Sequence, residues 1–439
     1  MTLFQLFGLV ITLIAVLGYL NHRFLKLPET IGITALALVM SMGITGYGLV
    51  NPGGADWARN ALASINFSEV VFHGVLGLLL FAGSLTLELK TMAKEKGTIL
   101  VLATVGVVIS TVVVGYGVYW MTGLLGYPLQ FIHCLLLGAV VSPTDPVAVI
   151  GILRRVGMSP RMEMQIAGES LFNDGTGVVA VLTVLALMAG QQDASAEGVL
   201  LLLTQQALGG VALGILLGVG GIALLSGVRA SHSICIFITL ALATAGYALG
   251  EFLKVSPLIT VIVTGLLVGN FGRQYNAMDP DTQAHVLEFW ELTDQLLNLI
   301  LFGLLGIQVI AMQPSWVQFF VCATAVPVAL VARWLSVGAP LAVMRRFRSY
   351  EDHTVTILTW GGLRGGLSVA LALSLPQFAG REIVLGSTYA IVIFSILVQA
   401  LTLGHVVRWL RARSAGQGAA AKPASAADAS GTRTLRSAS

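Results

Sequence analysis

Ser-Pro-Thr-Asp-Pro, residues 142–146, interrupts an apolar stretch (131–153) that is long enough to cross a lipid bilayer. Its two prolines remove helix hydrogen bonds, so the stretch is predicted to be a broken helix. Gly-Gly-Leu-Arg-Gly-Gly, residues 361–366, interrupts a second apolar stretch (354–376) and places four glycines around a charge. Two predicted membrane spans are therefore each unwound at a charged residue.

The whole chain has the composition of a membrane protein. Of its 439 residues, 56% are hydrophobic and 10% are charged, whereas soluble domains have about a quarter charged. This excludes an ordinary soluble enzyme, and the net charge of +3 predicts no nucleic-acid partner. Polar residues separate thirteen predicted spans: 3–20, 30–50, 68–87, 98–122, 131–153, 163–189, 198–227, 233–250, 255–271, 289–311, 316–343, 354–376 and 383–410. We predict an all-α polytopic membrane protein with about 13 transmembrane helices.

The order of the spans predicts an inverted repeat. The interrupted spans are the fifth and the twelfth, which are partner positions in two halves of opposite topology, about 1–189 and 233–410. Of the 24 Lys and Arg residues, 19 follow odd-numbered spans or lie in the tail, and three follow even-numbered spans. This distribution places the N-terminus outside and the C-terminus in the cytoplasm. Residues 1–411 are the predicted transmembrane domain, and 412–439 a disordered cytoplasmic tail.

Ionisable residues inside the spans point to function. Each costs at least about 2.5–3.5 kcal/mol at mid-membrane and therefore needs a partner or a role. Five qualify: Asp145, Glu169, Asp174, Arg333 and Arg364. Three acids against two bases leave one carboxylate without a fixed countercharge, which favours a cation site. If the two breaks cross, Asp145 neutralises the positive half-helix ends and Arg364 the negative ends, and the Thr144 carbonyl can bind a hard cation.

The sixth span carries Gly-Glu-Ser-Leu-Phe-Asn-Asp-Gly-Thr-Gly at residues 168–177. On a helix, Ser170, Asn173 and Asp174 share one face and offer hydroxyl, amide and carboxylate oxygens that suit Na⁺. Glu169 lies about 100° away, and Arg333 is its predicted partner. If Asp174 holds either a proton or a monovalent cation, the two flows are coupled one for one without net charge movement. The alternative is a purely structural network of kinked helices and buried polar groups.

These motifs resemble those of monovalent cation/proton antiporters. The two interrupting sequences, the segment 168–177, Phe-Trp-Glu at 289–291 and the apolar stretch 296–306 look like the electroneutral NhaP and NHE branch, whose marker is the Asn-Asp pair. The resemblance implies that Asp174 is the essential ion-carrying and proton-carrying carboxylate. It also implies that Asn173, Ser170 and the Thr144 carbonyl help to form the site.

The same resemblance extends to the charge network and the assembly. It implies that Asp145 and Arg364 balance the crossed helix ends and that Glu169 pairs with Arg333. It further implies a homodimer, which we expect in a bacterial inner membrane among lipids. The protein is expected to exchange Na⁺ or Li⁺ for H⁺ by alternating access and to serve pH homeostasis. Neither an enzymatic activity nor a cofactor is expected.

One position departs from the family pattern. Members of this branch often have an acidic residue in the third span after a Phe, where this chain has Ala82 after Phe81. A K⁺/H⁺ antiporter of the same fold is therefore an alternative. A cation channel would need a continuous polar lining, and polar residues here cluster at one depth. An aspartyl protease using Asp145 and Asp174 would leave both arginines without a role.

Overall fold

A computed structural model describes residues 3–51, 67–190, 196–311 and 316–420, with isolated positions between 53 and 60. All regular elements of these residues are helices, as predicted. The first half contains α1 (Leu3–Leu20), α2 (Glu29–Val50), α3 (Phe67–Thr86), α4 (Leu89–Leu124), α5 (Phe131–Val140), α6 (Val147–Arg155) and α7 (Pro160–Met188). The helix α8 (Ala196–Ser226) connects it to the second half.

The second half repeats the pattern of long helices and one broken pair. It contains α9 (His232–Phe252), α10 (Pro257–Gln274), α11 (Pro280–Gln308), α12 (Trp316–Met344), α13 (Thr354–Trp360), α14 (Gly366–Ser374), α15 (Arg381–Phe394) and α16 (Leu401–Ala420). A π-helical turn, Ser395–Ala400, joins the last two into one continuous helix. A helix or a broken pair thus coincides with each predicted span.

The membrane-spanning character is clear from helix length and composition. Among the residues that the structure describes, ten continuous helices are long and apolar enough to cross a bilayer. The half-helices α5 and α6, like α13 and α14, are each too short to do so, because a break divides them. The total of thirteen spans stays a prediction.

The C-terminal end differs from the prediction over residues 412–420. There α16 continues to Ala420, whereas the composition predicted disorder from residue 412. The segment adds to an existing helix, so it needs no new nucleus. Residues 421–439 lie outside the described residues.

Small residues bring the helices around α10 close together. A Cβ on Gly214 of α8 would lie 2.7 Å from Val263 Cβ, and one on Gly265 would lie 2.9 Å from the Phe81 carbonyl oxygen of α3. Larger side chains would separate these backbones. The helix α10 is therefore held between α3 and α8.

The two broken helices meet at their breaks. The Asp145 N–H donates to the Leu363 carbonyl oxygen over 2.8 Å, which is a direct backbone bond between the two interruptions. The long helix α7 packs on the first break at Gly177, where a Cβ would lie 2.5 Å from Pro143 Cγ. This contact of unwound segments, predicted from the sequence, is what positions the polar residues described next.

Candidate functional site

Asp145 lies at the N-terminal ends of both second half-helices. Its Oδ1 accepts a hydrogen bond of 2.9 Å from the Val147 N–H at the start of α6, where a helix has unpaired N–H groups. Its other oxygen lies against Gly365, the residue before α14, and a Cβ there would overlap Asp145 Oδ2. One carboxylate thus serves two positive helix ends.

Two arginines divide the negative helix ends between them. Arg364 donates from Nη1 to the carbonyl oxygens of Ser142 and Pro143, the latter over 2.9 Å. Arg333 donates to the Leu358 carbonyl oxygen of α13 from Nε at 3.3 Å and from Nη2 at 3.1 Å. The sequence predicts that Arg364 neutralises both negative ends, whereas in the structure Arg364 binds the first and Arg333 binds the second.

Arg333 also forms a bidentate ion pair with Glu169. Nη1 contacts Oε1, and Nη2 lies 3.1 Å from Oε2. The side chains are 9% and 2% exposed, so neither charge relies on solvent. Gly362 provides the room, because a Cβ there would overlap the guanidinium group. The pair joins α7 to α12 and, through the α13 carbonyl, to the second break.

Ser170 and Asn173 of α7 hold the first break through Thr144. Asn173 Nδ2 donates to Thr144 Oγ1 over 2.7 Å, and the Thr144 N–H donates to Asn173 Oδ1 over 3.2 Å. Ser170 Oγ lies 2.9 Å from Thr144 Oγ1. All three residues are buried. Asn173 therefore uses both ends of its amide to fix the unwound backbone beside the next residue, Asp174.

Asp174 is half-buried and lacks such contacts. Among the residues described, its carboxylate has no hydrogen bond and no ion pair. The carboxylate of Asp145 is close enough to repel that of Asp174 electrostatically. Two carboxylates, those of Asp145 and Asp174, thus lie near each other at the crossing, while both arginines bind other groups.

The structure adds a carboxylate that sequence analysis missed. Asp294 lies at the middle of α11, a helix of 29 residues, and it interacts electrostatically with Asp145. The predicted span began at residue 289, which placed Asp294 near a membrane surface. Because α11 begins at Pro280 instead, Asp294 lies at mid-helix. A signal was available in the helix start Asp279-Pro280, since proline favours the first position of a helix.

Ala82 is buried in α3, close to this part of α11. Its neighbour Phe81 packs on Trp290, with ring centroids 4.8 Å apart. Asp294 follows Trp290 by one helical turn. The region next to Ala82 is thus apolar on α3, and the half-buried carboxylate on this stretch of α11 is that of Asp294.

Comparison with known proteins identifies the family. The model of the transmembrane sodium/hydrogen exchanger family matches residues 10–409, a range that contains every site residue above. The chain belongs to this family. The exchanger is 42% identical over 403 residues to the Na⁺/H⁺ antiporter NhaP of Pseudomonas aeruginosa, covering 91% of this chain and 95% of that protein. It is 31% identical to the Na⁺/H⁺ antiporter ApNhaP of Aphanothece halophytica, over 90% and 72% of the two chains.

The fold of the exchanger matches that of a solved structure. The sodium proton antiporter MjNhaP1 of Methanocaldococcus jannaschii at pH 8 superposes with a TM-score of 0.70, over 93% of this chain and 99% of that one. The identity is 17%, so this likeness establishes the architecture alone. The all-α fold with two broken helices predicted from the sequence is thereby confirmed.

Proposed function

We propose that the exchanger is a secondary active antiporter that moves one Na⁺ or Li⁺ against one H⁺ by competition at Asp174. The observation that carries this proposal is the contrast within α7. Glu169 is bound by Arg333 through both oxygens, whereas Asp174 has no countercharge among the described residues. The relatives named as Na⁺/H⁺ antiporters support Na⁺ and H⁺ as the two ions exchanged here.

The coupling follows from the cost of an uncompensated charge. A proton or a Na⁺ ion neutralises Asp174, and with either ion bound the site can change from facing one side of the membrane to facing the other. The empty carboxylate cannot, because a bare charge at mid-membrane is expensive. Each half-cycle therefore carries one of the two ions, and the membrane potential does no work on the complete cycle.

We assign the cation ligands to Asp174, Ser170 and the Thr144 carbonyl, since oxygen donors suit a hard monovalent ion. Asn173 supports them by holding Thr144 through two hydrogen bonds. Asp145 contributes negative potential while it caps the half-helices. Glu169, Arg333 and Arg364 keep their charges paired with each other or with helix ends throughout the cycle.

We further propose that the exchanger is a homodimer in a bacterial inner membrane, with lipid around its apolar helices. The excess of Lys and Arg after odd-numbered spans supports an outside N-terminus and a cytoplasmic C-terminus. Labelling of single cysteines introduced at Arg23 and Lys254 tests this topology, because the two positions are expected on opposite sides.

The test of the transport function is exchange in proteoliposomes that contain a pH dye. Na⁺, Li⁺ and K⁺ are added separately to inside-acid vesicles of wild type and of Asp174→Asn, with and without a clamped potential. We expect alkalinisation of the lumen by Na⁺ or Li⁺ that is insensitive to potential and lost in the variant. A larger response to K⁺ would support K⁺/H⁺ exchange, and potential-driven flux without counter-ion would support a channel.

A further inference from the structure

A cluster of two histidines and an aspartate lies where α9 and α11 begin, away from the transport site. His232 is the first residue of α9, and Asp281 and His285 lie in the first two turns of α11. His232 Nε2 is 3.2 Å from Asp281 Oδ2, and His285 Nδ1 is 3.8 Å from Asp281 Oδ1. One donor atom from each residue lies within 4.8 Å of the other two. We propose that these three side chains bind a late first-row divalent metal ion, of which Zn²⁺ is the probe.

The donor set selects the class of metal. Two imidazoles and one carboxylate suit Zn²⁺, Ni²⁺ or Cu²⁺, whereas Mg²⁺ and Ca²⁺ prefer oxygen donors alone. Bonds of about 2.0–2.2 Å in a tetrahedral site place donor atoms about 3.3–3.5 Å apart. His232 and Asp281 already have this spacing. All three side chains are exposed by 40% or more, so they can rotate onto an ion and water can complete its coordination.

The hydrogen bonding of His285 also fits metal binding. Its Nδ1 lies 2.8 Å from the Asp281 backbone carbonyl oxygen. In the tautomer that donates this hydrogen bond, Nε2 carries the lone pair for the metal. The 3.8 Å between His285 Nδ1 and Asp281 Oδ1 therefore shows that the ring lies beside the carboxylate, and it is not a spacing between two metal donors. Metal-binding histidines commonly donate their other N–H in this way, which orients the ring.

Contacts on both sides of the cluster hold together the two helices that carry it. On one side, the Asp279 N–H donates to the Arg229 carbonyl oxygen over 3.2 Å. On the other, the buried Trp290 donates from Nε1 to Thr239 Oγ1 over 2.9 Å. The imidazoles of His232 and His285 stack between these contacts, with centroids 4.3 Å apart. The fold thus brings the donors together before any ion arrives, which lowers the entropic cost of binding.

The bound ion joins two long helices. It links α9 to α11, the helix that carries Asp294. Since Asp294 is nine residues beyond His285, it lies about 13 Å further along the helix. This distance means that the metal does not occupy the position of the transported cation. Because the metal binds the folded exchanger in preference to the unfolded chain, it stabilises the fold.

The experiment uses the full chain, purified in detergent without a polyhistidine tag and washed with a chelator. Equilibrium dialysis against Zn²⁺ is expected to give one ion per protomer, and Zn²⁺ is expected to raise the Tm by about 2–5 °C. His232→Ala and His285→Ala should each weaken binding by about tenfold or more and abolish the rise in Tm. Mg²⁺ should have neither effect. His405→Ala, which removes an exposed histidine of α16, is the matched control and should behave as wild type.

Folding of the variants is checked by Na⁺-driven exchange in metal-free vesicles, which should equal that of wild type. If an alanine variant fails to fold, His232→Gln and His285→Gln take its place, since they keep a polar side chain of similar size. Absence of stoichiometric Zn²⁺ binding in wild type would overturn the proposal. Wild-type affinity in the folded cluster variants would do the same.

Discussion

Glu169 and Asp174 lie five residues apart on α7, and they differ in what neutralises them. Both oxygens of Glu169 are bound by Arg333, whereas the described part of the chain offers Asp174 neither a hydrogen bond nor an ion pair. The bilayer core penalises both charges. The charge of Glu169 is therefore neutralised by the fold, whereas we propose that the charge of Asp174 is neutralised by the transported ions.

Glu95 repeats the first situation at the end of the bundle. It is 4% exposed and accepts hydrogen bonds from Arg161 at 2.8 Å, Gln165 at 2.7 Å and Arg348 at 2.9 Å. These contacts join α4, α7 and the segment after α12. Like Glu169, Glu95 connects helices rather than receiving a mobile ion. Glu95 and Glu169 thus differ from Asp174, the carboxylate that we propose carries the transported ions.

The largest effect is expected for Asp174→Asn. We expect exchange to fall by about 100-fold or more, because an amide can neither release a proton nor neutralise Na⁺. Thermal stability should stay the same or rise, since a buried charge is removed. The measurements are the pH-dye assay and the Tm in detergent. Retained exchange would show that another carboxylate carries the ions.

The next test removes the partner of Glu169. Arg333→Ala should lower the free energy of unfolding by about 3–5 kcal/mol, because it leaves Glu169 charged and buried. The double variant Glu169→Gln, Arg333→Ala should recover much of this loss, since it leaves no isolated charge. The measurement is a double-mutant cycle of thermal stability in detergent. An unchanged Tm for Arg333→Ala would mean that the ion pair does not stabilise the fold.

The proposed role of Asp174 also predicts how the KM for Na⁺ depends on pH. If protons and Na⁺ compete for one carboxylate, the apparent KM for Na⁺ should rise as pH falls, by about tenfold per pH unit once the proton form dominates. The rate at saturating Na⁺ should change much less. Initial rates measured with equal pH on both sides of the vesicle test this. A KM independent of pH would contradict competition at a shared site.

The smallest effect is expected at Asp294. Asp294→Asn removes negative charge near Asp145 and should raise the KM for Na⁺ by about threefold to tenfold with kcat preserved, since the interaction is electrostatic and indirect. Glu288→Gln is the matched control, because Glu288 is exposed on the same helix. Equal effects of the two variants on KM would exclude a specific role for Asp294.

Several features of the site were predictable because they depend on local sequence. Proline and glycine runs unwind a helix wherever they occur, so both breaks were found at residues 142–146 and 361–366. A charge within an apolar span is visible without any structure, which identified Glu169, Asp174 and Arg333. Asp294 escaped because its depth depends on where α11 begins, and residues 280–288 are polar enough to resemble a loop.

Apolar length, helix-breaking residues and charge are properties of single segments, so the amino-acid sequence was enough to predict the all-α class, the two broken helices and the surplus carboxylate. The packed bundle was needed to show that Arg333, the partner predicted for Glu169, also binds the Leu358 carbonyl oxygen, and that Asn173 binds Thr144 on both sides of its amide. It also brought His232 to Asp281. Such pairs join helices that are distant in the chain, and their distances depend on how the whole bundle packs.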